Sequence, residues 1–127
     1  MKIIVVDDEP IIADTLVDIL KGEGHDAFAV STGAAAIQWA EMLRPDAVVT
    51  DVVMPGINGI ETAKGILKLL PQCRVILFSG QAATLDLLDR ARAEGYKFEV
   101  LAKPINPDVL ISALRPGRRL GAESAAS

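Results

Sequence analysis

The chain has 127 residues, half of them hydrophobic and 24% charged, which is one domain's worth of core-forming sequence and excludes an intrinsically disordered chain. Thirteen basic against 17 acidic residues leave a net charge of −4, so the bulk field opposes a polyanion and direct nucleic-acid binding is not expected. The single cysteine, Cys73, excludes an intramolecular disulfide and a multi-cysteine metal site. No apolar run approaches about 18 residues, so no membrane insertion is expected. The apolar run near the N-terminus is too short for a signal peptide, which makes a cytoplasmic setting the expectation.

Short apolar runs alternate with amphipathic stretches five times. Ile3–Val6 is rich in β-branched side chains and reads as a buried strand. Asp7, Asp8 and Glu9 end it, and Pro10 suits the first position of a helix. Ile12, Leu16, Ile19 and Leu20 recur at helical spacing until Gly22 and Gly24. Ala27–Val30 predicts a weaker second strand, Ala34–Leu43 a second helix ended by Arg44-Pro45, and Ala47–Thr50 a third strand running into Asp51. After the turn Met54-Pro55-Gly56, Asn58 can cap a helix, with Glu61 at the capping-box spacing. Ile60, Ala63, Leu67 and Leu70 give that helix an apolar stripe, and Pro71 closes it. Val75–Phe78 predicts a fourth strand ending in Ser79-Gly80, and Ala83–Glu94 a fourth helix. Phe98–Ala102 predicts a fifth strand ending in Lys103-Pro104. A last helix starts at Asn106 or Asp108 and reaches about Arg115. Residues 1–115 are thus expected to form one domain and 116–127 a disordered tail.

Five strand–helix units in a row predict an α/β fold, a doubly wound parallel sheet with helices on both faces. Continuous apolar runs, rather than alternating ones, suit strands buried on both sides. Right-handed crossovers bring all strand C-termini to one edge, where such folds bind ligands.

Asp7 and Asp8 follow the first strand, Asp51 the third, Ser79 the fourth and Lys103 the fifth. Carboxylates gathered at one edge repel and hold their protons more tightly unless a cation is present. A hard divalent cation such as Mg2+ relieves the repulsion, since it takes carboxylates, waters and phosphate oxygens. Metal, ammonium and hydroxyl together are what a phosphoryl group needs around its oxygens. One carboxylate can then serve as a nucleophile. Taken singly, Asp7 and Asp8 read equally well as helix caps, Asp51 as a loop acid, Lys103 as a surface lysine and Ser79 as a helix N-cap.

The constellation resembles the receiver domain of two-component response regulators, over residues 2 to about 115. The resemblance rests on Val5-Val6-Asp7-Asp8-Glu9, on Thr50-Asp51-Val52-Val53-Met54-Pro55-Gly56 with Asn58-Gly59, on Ser79-Gly80 and on Lys103-Pro104, in that order and each at a strand end. It implies a flavodoxin-like (βα)5 fold with strand order 2-1-3-4-5 and a cis Lys103-Pro104 peptide. It implies Asp51 as phospho-acceptor, attacking the phosphohistidine of a sensor histidine kinase or histidine phosphotransfer protein, or a small phosphodonor. It further implies Mg2+ held by Asp8, Asp51 and the backbone carbonyl of Val53, with Asp7 acting through water. Lys103 would pair with the acyl phosphate, and the Ser79 hydroxyl would follow it. Such a domain assists only its own phosphorylation and dephosphorylation, so no enzyme with turnover on a free substrate is expected.

The sequence departs from the family at three points. Three residues before the lysine, many receivers carry Tyr or Phe, but here the position is Val100. Phe98 is the nearest aromatic, on the same strand face, so the usual aromatic switch is not carried over. The positions that tune dephosphorylation, two after Asp51 and two after Ser79, are Val53 and Gln81. With little sequence beyond residue 115, output is expected through contact with another protein or onward phosphotransfer. The alternative is a pseudo-receiver acting as a phosphorylation-independent interaction module. An aspartate-nucleophile phosphatase of the dehalogenase type would need Asp-x-Asp, and the residue two after Asp51 is Val53. His25 reads as an exposed turn residue without a functional role, Trp39 and Cys73 as packing residues, and Arg115, Arg118 and Arg119 as a solvated basic end.

Overall fold

A computed structural model describes residues 1–80, 84–96 and 98–115 of the chain. The expected tail at 116–127, with Arg118 and Arg119, lies outside the described residues, as does Gln81. Strands β1 (Lys2–Val6), β2 (Asp26–Val30), β3 (Ala47–Asp51), β4 (Arg74–Ser79) and β5 (Glu99–Ala102) alternate with helices α1 (Pro10–Gly22), α2 (Gly33–Leu43), α3 (Gly59–Leu69), α4 (Thr84–Ala93) and α5 (Pro107–Ala113). The strands form one parallel sheet in the order β2-β1-β3-β4-β5, as the resemblance implied.

Successive side chains of a strand point to opposite faces, and both faces are covered. Ile3, Val5, Ile76 and Phe78 point to one side, where Ala13, Leu16, Val17 and Leu20 of α1 meet Leu110 and Ala113 of α5. Their neighbours Ile4, Val6 and Val48 point to the other, against Ala36 and Ala40 of α2 and Ile66 of α3. Val75 and Leu77 extend that second layer over Ala63 of α3 and Ala91 of α4. Burial on two faces is why each strand reads as an unbroken apolar run.

Helix ends follow local chemistry. The Oγ1 of Thr32 accepts from the Ala35 N–H at 3.0 Å and begins α2 one residue earlier than the apolar pattern suggests. The Asn58 side chain caps α3 by accepting from the Glu61 N–H at 2.9 Å, and Asn106 caps α5 by accepting from the Asp108 N–H. α5 stops at Ala113, short of the expected Arg115. There the amides of Leu114 and Arg115 turn back to the carbonyls of Ile111 and Ser112 and tighten the last turn. Arg74 ties the far edge together. Its guanidinium pairs with Glu99 across β4 and β5 at 3.1 Å and donates to the Arg115 carbonyl at 3.0 Å. His25 is half-buried rather than exposed, its Nδ1 3.1 Å from the N-terminal ammonium. Trp39 packs its ring near Phe28, and the buried Cys73 thiol is pushed up to about 12 by burial, then by the charge of Asp46.

The turn after β3 folds back tightly. The Gly59 N–H donates to the Val52 carbonyl at 2.8 Å, and a Cβ on Gly59 would overlap the backbone carbonyl of Asp51. Met54 inserts into the second apolar layer and holds the same turn from below. Gly59→Ala is therefore expected to destabilise the fold by about 2 kcal/mol through backbone displacement. Urea unfolding measures it, and an unchanged midpoint would contradict the close approach.

Candidate functional site

Strand register gathers the polar residues. Val6 pairs with Thr50, so Asp7 leaves the sheet beside Asp51. Asp51 pairs with Phe78, and Ser79 with Ala102, so Ser79 and Lys103 emerge on the same edge one and two strands over. Asp8, Glu9, Asp51, Val53, Ser79, Gly80 and Lys103 line a cavity of about 320 Å³ there. The six residues expected at the site are brought together: Asp8, Asp51, Val53, Ser79 and Lys103 in the cavity wall, and Asp7 beneath it.

Carboxylate oxygens of Asp7, Asp8 and Asp51 lie within 4.8 Å of one another. Asp7 is fully buried, Asp51 is 5% exposed and Asp8 is exposed. Asp7 Oδ1 accepts from the Glu9 N–H at 2.8 Å, which holds the start of α1 against the end of β1. Asp7 Oδ2 has no hydrogen-bond partner among the described residues. A buried carboxylate oxygen left this way is costly unless a cation or water takes it. Burial pushes the Asp7 carboxyl above its usual 3.8. The charges of Asp51 and Asp8 push it the same way, while the Glu9 amide and Lys103 pull against them.

Asp51 Oδ2 accepts from Lys103 Nζ at 2.8 Å, and its Oδ1 is a long 3.4 Å from the Val53 N–H. Burial alone would lower the Lys103 pKa, but the hydrogen bond and charge of Asp51, then the charges of Asp7 and Glu9, raise it above 10.5. The lysine stem passes over the Phe78 ring, with Nζ 5.2 Å from its centroid. Gly80 gives that stem room, since a Cβ there would sit 3.2 Å from the Cβ of Lys103. The Lys103-Pro104 peptide is cis. The donor set is all oxygen, acidic and short of positive charge, which fits a small divalent cation. Asp7, Asp8 and Asp51 are the side chains placed to hold it.

The missing aromatic has a structural counterpart at the start of β5. Val100 is 38% exposed and contributes no aromatic ring. Phe98, expected to open the fifth strand on the face of Val100, lies before β5 begins at Glu99 and stacks on Tyr96, centroids 5.6 Å apart, against the layer formed with α3 and α4. Glu9 belongs to the acidic motif after the first strand, but the sequence alone assigns it no role at the site, and the structure places it in the cavity lining. Its adjacency to Asp8, just ahead of Pro10 at the helix start, was the available signal.

The family model described as "Response regulator receiver domain" matches residues 3–115. Among curated relatives, the chain is 31% identical over 114 residues to the DNA-binding response regulator MtrA of Mycolicibacterium smegmatis, covering 90% of this chain and 49% of that protein. It thus spans about half the length of the DNA-binding regulators it resembles. It is 29% identical to the chemotaxis protein CheY of Thermotoga maritima, over 89% of this chain and 93% of that one. Among solved structures, a response regulator receiver domain protein from Clostridium thermocellum is 27% identical with a TM-score of 0.82, covering 99% of this chain and 98% of the other. With the matched span running from β1 to the end of α5, the chain belongs to the response regulator receiver domain family.

Proposed function

We propose that the chain is a phosphorylation-dependent switch that takes a phosphoryl group on Asp51. The observation that carries this is the charge imbalance at the sheet edge: three clustered carboxylates, one of them held by the single lysine. An interaction module that worked without phosphorylation would have no use for a buried carboxylate with an orphaned oxygen, which costs stability. Mg2+ held by Asp8, Asp51 and the Val53 carbonyl, with Asp7 reached through a metal-bound water, would supply positive charge to the phosphoryl oxygens.

The chain's own residues do the rest. Asp51 presents one carboxylate oxygen to phosphorus while Lys103 restrains the other and stays positive near neutral pH. After transfer, Lys103 pairs with a phosphoryl oxygen, and the hydroxyl of Ser79, at the end of the strand between Asp51 and Lys103, donates to another. The donor is the phosphohistidine of a sensor histidine kinase or a histidine phosphotransfer protein, or a small phosphodonor. The phosphorylated state is passed on through contact with a partner protein or onward phosphotransfer. Turnover is limited to the domain's own aspartyl phosphate.

Incubation with acetyl phosphate and Mg2+ should add one phosphoryl group by intact mass, and Asp51→Asn should abolish the gain. An adduct of equal yield on that variant would place the acceptor elsewhere. Lys103→Ala should retain Mg2+ binding by calorimetry, because the lysine is not a ligand, while phosphorylation slows at least about tenfold; an unchanged rate would remove Lys103 from this role. The raised Asp7 carboxyl sets a pH dependence. Burial favours its neutral form more than in an exposed carboxyl, and a cation favours the charged form. Mg2+ affinity should therefore be full above the folded pKa of Asp7 and fall as pH drops through it, starting above the usual 3.8. Calorimetric titrations between neutral pH and about pH 4 measure it, and an affinity flat across that range would contradict it.

A further inference from the structure

Four carboxylates act on this site, but only three form the cluster that a cation would claim. Asp7, Asp8 and Asp51 bring oxygens within 4.8 Å of one another, and Glu9 is not among them. Glu9 nevertheless lines the same cavity as Asp51, Val53, Ser79 and Lys103. It occupies the N-cap of α1 but makes no side-chain capping bond, so its carboxylate is not spent on the helix. Asp51 is nearly buried and Glu9 is exposed, which puts the acceptor at the floor of the cavity and Glu9 at its rim. The reach of the Glu9 charge across the cavity is visible at Lys103, whose proton it helps to hold.

Resting on the reading of Asp51 as acceptor, we propose that Glu9 is a specificity-determining residue: its carboxylate at the rim favours phosphodonors whose leaving group departs as a neutral nitrogen base over those whose leaving group departs as an anion. In the transfer, an Asp51 oxygen forms a bond to phosphorus while the bond on the opposite side of phosphorus breaks, the two being roughly in line. With Asp51 at the floor, the leaving group points to the rim. From acetyl phosphate, the P–O bond breaks, oxygen keeps the electron pair, and acetate leaves as an anion facing Glu9. From phosphoramidate, the P–N bond breaks, the already protonated nitrogen keeps the electron pair, and neutral ammonia leaves. A protonated phosphohistidine likewise releases a neutral imidazole. Among the described residues lining the cavity, Lys103 is the one cation, and it is engaged with Asp51. At the rim, the Val53 side chain is 45% exposed and neutral, and Gly80 has none. Negative charge developing on a departing acetate therefore meets Glu9 with no free cationic side chain beside it among the described residues lining the cavity.

The test compares rates of mass gain with acetyl phosphate and with phosphoramidate at saturating Mg2+, for the wild-type chain, Glu9→Gln and Glu9→Lys. The ratio of the acetyl phosphate rate to the phosphoramidate rate should rise about three- to tenfold in Glu9→Gln and further in Glu9→Lys. The gain should shrink as salt is raised to about 0.5 M, because the charge is solvent-exposed. Equal acceleration with both donors would overturn the proposal, since Glu9 would then act on the phosphoryl group itself. A tenfold loss of Mg2+ affinity in Glu9→Gln, read by calorimetry, would overturn it too by making Glu9 a metal ligand. If the wild-type chain gains no mass from either donor, the acceptor reading fails and the proposal falls with it. That failure is told apart from the others because it occurs without any change at Glu9.

Discussion

The constraint on which the rest depends is the crowding of like charge where β1 and β3 end. Two adjacent parallel strands deliver Asp7 and Asp51 side by side, with Asp8 next in line. One lysine, delivered from two strands away, answers them by holding Asp51 at 2.8 Å. The balance is incomplete, and Asp7 keeps a buried oxygen without a partner among the described residues. A fold built only for stability would avoid this, because a buried unpaired carboxylate costs free energy that apolar replacements would not. The proposed function draws on this imbalance, because a cation and then a phosphoryl group would each shift the charge, in opposite directions.

Holding repelling groups in place needs stiff supports, and the two apolar layers provide them. Phe78, fully buried, lies next to Ser79 in β4 and beneath the ammonium of Lys103. Met54 anchors the turn that follows Asp51, and Gly59 lets that turn press against the Asp51 backbone. The Asp7 side chain holds the amide of Glu9, so the start of α1 is positioned by an acid of the cluster. The same contacts that build the core therefore set the site geometry, and a packing change beneath the site is felt at the carboxylates.

The side of the molecule formed by α3, α4 and β5 departs from the family pattern. Val100 faces outward without a ring, while Tyr96 and Phe98 stack as a pair beside it in sequence. Lys64 of α3 braces that pair, with Nζ 2.8 Å from the Glu94 carboxylate and 5.4 Å from the Tyr96 ring centroid. An aromatic pair pinned between a helix and an ion pair has less freedom to rotate than a lone ring on a strand. Under the proposed function, a change at Ser79 would have this braced aromatic pair to act on.

The amino-acid sequence by itself determined the alternation of five strands and five helices, because each element carries its own local signal. These signals are the apolar runs, the helical spacing in α1, and the caps at Asn58 and Asn106. It also determined which residues reach the functional edge, since parallel right-handed connections leave no choice about where strand C-termini lie. The motifs at Asp7-Asp8, Asp51, Ser79 and Lys103 were legible for that reason. What only the tertiary structure decided were relations between residues distant in sequence: which oxygen of Asp51 takes Lys103, which oxygen of Asp7 is orphaned, and where Glu9 sits relative to both. Those depend on strand register and side-chain packing across about 50 residues of intervening chain. Periodicity and local propensity carry no information at that range.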